Sequence, residues 1–299
     1  MTQETIPQGV PQSSGSLEGN ELPTSFTQIG TIAKFEILNY FRSRRFLILL
    51  VITLIVAGAL TGIIAYYGVA RVAGSPASSL GFYGIWWTFA TSLIVVFCAV
   101  FFGGDAISGE FQNKTGYFLV GNPIRRSSIY VGKWLAAFTA SLIITGIYTA
   151  ATIANGVYYL GTNIPVQFGE AIGFTIIYLV AALGFTFMFS SMFKSSSYSI
   201  LVTIILLLFG FGLIDTLVTN IVHIEPWFTL SYGSGIISNV FTVPYPHHIT
   251  SQSFGPSGGN GPTLTLYVPT IPEGLVIMLV YFALTAVLGL ALFERKEFN

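Results

Sequence analysis

The side chains that could carry acid–base or metal chemistry form no recognisable catalytic pattern. The chain has three histidines, His223, His247 and His248, and the acids Asp215 and Glu225 stand near the first of them. Zinc sites use histidine and carboxylate ligands, but this spacing matches no established ligand pattern, and adjacent histidines rarely chelate one ion well. No Gly-x-Ser-x-Gly or His-Glu-x-x-His motif is present either. We therefore predict no metal site and no catalytic residue, and we expect the histidines to be solvated loop residues.

The segment 105–133 carries an unexpected density of charged residues for a loop between apolar runs. Its candidate functional residues are Asp105, Ser108, Glu110, Lys114, Pro123, Arg125 and Arg126. Ser108 is placed to cap a short helix, and Glu110 would be favourable in the first turn of that helix. Asn122 and Pro123 then break the chain before a second short segment. A helix–break–helix of this kind is a surface suited to a partner; the alternative is a plain basic connector.

The rest of the sequence has the composition of an integral membrane protein. Of 299 residues, 53% are apolar and 8% are charged, with mean hydropathy +0.75, whereas soluble domains carry about 25% charged residues. This excludes an ordinary soluble enzyme. The net charge is zero, which argues against nucleic-acid binding, and the single cysteine excludes a disulfide scaffold.

Six uncharged apolar runs are long enough to cross the hydrocarbon layer, which is about 30 Å thick. They are residues 46–67, 82–103, 134–160, 171–193, 197–214 and 274–293. The sequence thus predicts an all-α polytopic protein with one transmembrane domain over residues 26–299. Residues 1–25 are polar and are expected to form a disordered cytoplasmic tail.

An amphipathic helix is predicted immediately before the first span. Over residues 26–45, apolar side chains recur at helical spacing, with polar side chains between them. We expect this helix to lie on the membrane surface. Its basic residues are Lys34, Arg42, Arg44 and Arg45. The alternative is that the segment only anchors the first span.

The distribution of basic residues predicts that both termini are cytoplasmic. With that orientation, the inside segments carry Lys34, Arg42, Arg44, Arg45, Lys114, Arg125, Arg126, Lys133, Lys194, Arg295 and Lys296. Arg71 is then the one basic residue outside. Inside loops of membrane proteins carry an excess of lysine and arginine. We therefore expect a multi-pass protein of the cell membrane.

The segment 215–273 is predicted to be external. Its first part, to about residue 245, is apolar enough to dip back into the membrane or to lie along it. Residues 246–262 are rich in proline, glycine and serine and are expected to be a flexible loop, and Thr263–Val268 resembles a strand.

If the protein moves a solute, the energy for this movement is not expected to come from this chain. The predicted spans hold no interior ionisable residue, which disfavours an ion-coupled transporter, and no phosphate-binding Gly-x-x-x-x-Gly-Lys motif is present. Gly58 and Gly62 are spaced to allow close helix packing in the first span.

The loop between the second and third predicted spans resembles the signature of ABC-2 type permeases. The similarity is carried by Ile107–Thr115, by Asn122–Ile129 with its Pro-Ile-Arg-Arg sequence, and by Gly132-Lys133. The six-span architecture from residue 26 onwards resembles this family too. In the family these proteins are the membrane subunits of ATP-binding cassette exporters.

The resemblance implies a permease that works with two cytoplasmic ABC ATPase subunits and with a second permease copy or a homologous permease. ATP and Mg²⁺ would bind the ATPases, and no cofactor is expected on this chain. In the family, the segment before the sixth span forms short helices that re-enter the outer leaflet. The apolar, aromatic spans of this chain suit a hydrophobic or amphipathic substrate. Two alternatives stay open: a membrane-embedded binding or assembly protein without transport, and a membrane enzyme with an external histidine and acidic site.

Overall fold

The described residues contain six helices that are long and apolar enough to cross a membrane, which confirms the all-α polytopic prediction. A computed structural model describes residues 24–73, 78–113, 125–253 and 263–296. We number the spans from one to six. They are Arg44–Tyr67, Ser79–Gly103, Arg126–Leu160, Val166–Met192, Ser196–Val222 and Ile271–Arg295.

Each of the six helices is longer than its predicted apolar run, and the third and fifth spans exceed their predictions the most. The third span begins at Arg126, so residues 126–133 form two helical turns and not a separate loop segment. The fifth span continues to Val222 through two π-helical stretches. The predicted external segment therefore loses its first eight residues, 215–222, to the span. Asp215 is tolerated there because its carboxylate accepts hydrogen bonds from the hydroxyls of Thr229 and Ser231.

The spans run alternately between two ends of the bundle. At one end the Arg45 guanidinium pairs with Asp105, which joins the start of the first span to the end of the second. At the other end Thr61 donates to the Asn155 side chain at 3.0 Å, which joins the end of the first span to the end of the third. We call the first of these the amphipathic-helix end. The second is the hairpin end, named after the two-stranded hairpin of Ile249–Ser253 and Thr263–Tyr267. The last turn of the sixth span lies at the amphipathic-helix end, where Arg126 donates to the carbonyl of Glu294.

The second and fourth spans form the centre of the bundle. The second span buries a run of large side chains, including Phe82, Tyr83, Trp86 and Trp87. The Trp87 indole donates to the Thr175 hydroxyl of the fourth span at 2.8 Å. This bond satisfies the indole N–H of Trp87, which would otherwise be costly to bury in an apolar environment.

Close helix packing involves glycines other than those predicted. A Cβ added at Gly184 would lie 2.7 Å from the Thr285 hydroxyl oxygen, and one at Gly289 would lie 3.1 Å from the Cα of Met188. The fourth and sixth spans therefore approach closely through these two glycines. A Cβ at Gly58 or Gly62 would meet nothing within 4 Å. The predicted contact at Gly58 and Gly62 is thus not made within the described part of the chain.

The amphipathic helix Ser25–Arg42 packs its apolar side on the start of the third span. Ile32 lies against Gly132, where an added Cβ would be 2.8 Å from the Ile32 Cγ2. The prediction of a helix that extends to residue 45 is corrected, because Ser43 ends it and caps the first span. Arg44 and Arg45 are therefore the first residues of the span.

The segment between the fifth and sixth spans contains two short helices and a hairpin. The helices, Leu230–Ser234 and Ile236–Asn239, bury Leu230, Ile236 and Ile237. Antiparallel strands Ile249–Ser253 and Thr263–Tyr267 form the hairpin. The predicted strand at 263–268 is confirmed, whereas residues 249–253 form a strand in a stretch predicted to be a flexible loop. Residues 254–262 lie outside the described residues.

Candidate functional site

Three elements meet on the ammonium group of Lys133 at the amphipathic-helix end. Lys133 lies two turns into the third span, and 7% of its side chain is exposed. It pairs with Glu36 of the amphipathic helix and, at 2.8 Å, with Glu110 of the short helix Ser108–Gln112. We call Lys133, Glu36 and Glu110 the lysine cluster. Two carboxylates on one buried ammonium compensate the cost of removing its charge from water.

A second ion pair lies beside the lysine cluster. Asp105, which follows the second span, pairs with Arg45 at the start of the first span. The lysine cluster and the Arg45–Asp105 pair together line a polar cavity of about 370 Å³. Tyr40 also lines it and donates its hydroxyl to the Phe102 carbonyl at 2.8 Å. Burial, and then the negative charges of Asp105 and Glu36, raise the pKa of Tyr40 well above its usual value, so the phenol remains a donor.

The short helix 108–112 is also held to the fourth and fifth spans. The backbone N–H groups of Ile107 and Ser108 each donate to the Ser190 hydroxyl at 3.0 Å. The Gln112 side chain accepts from the backbone N–H of Ser196 at 2.8 Å. The predicted role of Ser108 as a helix cap is therefore wrong: Ile107 is at the cap position, and the Ser108 hydroxyl donates to the Gly104 carbonyl.

The third and sixth spans are joined at the same end. Arg126 donates to the carbonyls of Glu294 and Lys296, which end the sixth helix. Lys296 donates to the carbonyls of Ser191 and Phe193 and lies 4.1 Å from the ring centroid of Phe111. Burial and then the charge of Lys194 lower the pKa of Lys296 to about 8.

The predicted site residues thus divide into three groups. Asp105, Glu110, Arg126 and Arg45 make contacts that join separate elements. The side chains of Lys34, Arg42, Arg44 and Arg125 are exposed on the surface. Lys114 and Pro123 lie outside the described residues.

Sequence reasoning missed Glu36 and did not assign a site role to Lys133. A signal for Glu36 was available, because it interrupts the apolar stripe of its helix between Ala33 and Tyr40. A single acid on the packed face of an amphipathic helix needs a buried partner of opposite charge. Only the fold identifies that partner, since Lys133 is 97 residues away.

This arrangement is a junction between elements. The short helix 108–112 contacts the third, fourth and fifth spans and the end of the sixth span. It is linked to the amphipathic helix through Lys133. A displacement of that short helix must therefore break or carry along its bonds to the third, fourth and fifth spans. Junctions of this kind transmit movement between packed elements that have alternative arrangements.

Comparison with known proteins identifies the family. A family model described as ABC-2 family transporter protein matches residues 30–298. None of the curated proteins compared with the chain matches it. The family match begins in the amphipathic helix and ends beyond the sixth span, so it includes every element of the junction. The chain therefore belongs to the ABC-2 transporter family, and it is the membrane-spanning permease of such a transporter.

Proposed function

We propose that this permease exports a hydrophobic or amphipathic substrate, and that separate cytoplasmic ATPases drive it through the lysine cluster. The observation that supports this proposal is the buried ammonium of Lys133, shared by the amphipathic helix and the short helix 108–112. Both elements lie at the same end of the bundle. The ammonium links both of them to the third span.

Coupling would work through the strength of this shared pair. Removing one partner from a buried ion pair typically costs 3–5 kcal/mol, because the remaining charge is uncompensated. A push on the short helix by an ATPase would therefore move the third span with it and leave the Lys133 to Glu110 bond intact. Glu110 is a positioning residue in this scheme, because its carboxylate is already bonded inside the chain.

The partners proposed are two ABC ATPase subunits and a second copy of this permease or a homologous one. The absence of a phosphate-binding Gly-Lys motif in the sequence supports a separate ATPase. The exposed glycines Gly58 and Gly62 leave room on the first span for a closely packed helix of another subunit. ATP and Mg²⁺ would bind the ATPases.

We place the amphipathic-helix end in the cytoplasm. The exposed basic side chains Lys34, Arg42, Arg44 and Arg125 support this orientation, because inside loops are enriched in such residues. The hairpin end would then be external.

The proposed substrate class is supported by an apolar groove of about 460 Å³. It lies between the fourth and sixth spans, with Trp227 and Phe228 at its hairpin end. Its polar lining side chains are Tyr281 and Thr285, and both donate to backbone carbonyls. A groove of this composition favours acyl chains or aromatic rings over ions.

The test measures two quantities in proteoliposomes. One is the amount of ATPase that binds the permease, and the other is the stimulation of ATP hydrolysis by the permease. Lys133→Met should retain ATPase binding within about threefold but lose most of the permease-dependent stimulation of ATP hydrolysis. Lys34→Met removes an exposed lysine and should behave as wild type. Full stimulation with Lys133→Met would contradict the proposed coupling path. Failure of the wild-type chain to recover any ATPase from its own membranes would favour a binding or assembly role.

A further inference from the structure

Three metal-ligating side chains meet at the hairpin end, far from the lysine cluster. Glu225 follows the fifth span, His248 precedes the first strand of the hairpin, and Glu273 lies in the first turn of the sixth span. One ligand atom of each lies within 4.8 Å of the other two. The three residues are separated by more than 20 positions each, so no spacing motif in the sequence indicates them.

The imidazole of His248 is held in one tautomer. Its Nδ1 lies 2.9 Å from the Val268 carbonyl oxygen, which can only accept, so Nδ1 carries the proton. The Val268 N–H donates to the His248 carbonyl at 2.8 Å and fixes the backbone. The other ring nitrogen, Nε2, faces Glu225, with 3.3 Å between Nε2 and Oε2. In the neutral ring with its proton on Nδ1, the lone pair of Nε2 is on this side. Histidine ligands of metals usually donate their other ring N–H in this manner.

Both carboxylates are also oriented by bonds to one of their oxygens. The Tyr232 hydroxyl donates to Oε1 of Glu225 at 2.5 Å, and the Thr270 N–H donates to Oε2 of Glu273 at 2.9 Å. The second bond belongs to the capping box of the sixth span. Each glutamate side chain is therefore held in one orientation, and its carboxylate still has lone pairs that can bind a metal ion.

The spacing fits a shared ion better than a direct hydrogen bond. A charge-assisted N–H···O bond is usually about 2.7–2.9 Å long. Two ligands of a tetrahedral zinc ion, each at about 2.0–2.1 Å, lie roughly 3.3 Å apart, and this is the separation of Nε2 and Oε2. The ligand atom of the exposed Glu273 lies within 4.8 Å of the other two, so a movement of up to about 1.5 Å would complete the set on the same zinc–ligand distances.

We propose that Glu225, His248 and Glu273 bind a zinc ion, with water in the fourth position. Two carboxylates neutralise the divalent charge, and the imidazole selects zinc over calcium and magnesium, which prefer oxygen ligands. Glu225 and His248 are half-buried and Glu273 is exposed, so the ion has a path from solvent. The ion would tie the end of the fifth span and the base of the hairpin to the start of the sixth span. This inference does not depend on transport.

The test measures zinc binding by the purified chain in detergent, by isothermal titration calorimetry and by metal content after dialysis. The chain is prepared without a polyhistidine sequence. Wild type is expected to hold one zinc per chain and to lose it to a chelator. Glu225→Gln and His248→Gln should each raise the dissociation constant at least about tenfold, the loss that removal of even an outer partner causes. Magnesium at the same concentration should give no heat of binding.

Two further variants separate ligand loss from misfolding. Tyr232→Phe keeps all three ligands and removes only the bond that orients Glu225, so it should weaken zinc binding by about 10–100-fold. His247→Gln changes the neighbouring histidine outside the three-residue group and should bind zinc as wild type does. Absence of zinc binding by wild type, or equal binding by Glu225→Gln and His248→Gln, would overturn the proposal and leave a direct ion pair between Glu225 and His248.

Discussion

At the scale of single residues, the chain is organised by a few charged side chains that are paired inside an apolar protein. Lys133 is the clearest of them, since Glu36 and Glu110 both depend on its charge. The pairs affect stability most when one member is removed, because the buried charge that remains is uncompensated and costly.

Lys133→Met should therefore destabilise the protein by about 3–5 kcal/mol, since it leaves two carboxylates facing each other without a cation. The measurement is unfolding in mixed detergent micelles, compared with Lys34→Met, which should stay within about 0.5 kcal/mol of wild type. Adding Glu36→Gln and Glu110→Gln to Lys133→Met should recover much of the loss. If Lys133→Met is as stable as wild type, the ammonium is not buried as described.

Lys296 gives a prediction about pH. Its pKa in the folded chain, about 8, is below the ordinary lysine value, so the folded state binds fewer protons than the unfolded state above pH 8. The contribution of Lys296 to stability should thus rise as the pH increases from about 8 towards 10, where an unfolded lysine also begins to lose its proton. The thermal midpoints of wild type and Lys296→Met, compared between pH 7 and pH 9.5, check this. The difference should shift in favour of wild type at the higher pH; a constant difference would contradict it.

At the scale of elements, the docking of the amphipathic helix depends on one small residue. Gly132 lets Ile32 approach the third span, and an added methyl group would lie 2.8 Å from the Ile32 Cγ2 and 3.2 Å from the Ile29 carbonyl oxygen. Gly146 belongs to the same span, but a Cβ there would meet nothing within 4 Å. The two glycines form a matched pair.

Gly132→Ala should destabilise the protein by about 1–3 kcal/mol, the usual cost of overpacking. Gly146→Ala should stabilise it by up to about 1 kcal/mol, because alanine is the better helix former. Unfolding midpoints of both variants are compared with wild type, and limited proteolysis reports the release of the amphipathic helix. Equal stabilisation by both substitutions would show that this helix does not pack on the third span.

The elements also show what a sequence of this kind can predict. Apolar length identifies all six spans, because the bilayer imposes it. Amphipathic periodicity identifies the helix before them. Neither pattern predicts a helix that continues past a charged residue. Asp215 ends an apolar run, but the fifth span continues beyond it because Thr229 and Ser231 donate hydrogen bonds to its carboxylate. Glu36 is noticeable because it interrupts an apolar stripe, but its pairing with Lys133 cannot be predicted from the sequence. The same holds for the three proposed zinc ligands, because the members of each group are distant in sequence and meet only through packing.

At the scale of the whole molecule, the positions of the charges predict how the protein is inserted. On a Cys98→Ala background, Thr162→Cys at the hairpin end should react with an impermeant thiol reagent added outside, because Thr162 is exposed there. Lys194→Cys, exposed between the fourth and fifth spans, should react only after the membrane is opened. Cysteines in place of Ser75 and Ser257 should label from outside, and one in place of Ser127 should not. External reaction of Lys194→Cys would reverse the proposed orientation and remove the coupling proposal.

The contact between Lys296 and Phe111 has a practical consequence. Lys296 is the last residue that the structure describes, and its ammonium lies over the ring of Phe111. Phe111 belongs to the short helix 108–112, the element proposed to receive the ATPase. A small environment-sensitive dye attached one or two positions after Lys296 would therefore report on movement of that helix without alteration of any residue in the lysine cluster. The change in its emission during ATP turnover would give a direct optical record of the transport cycle.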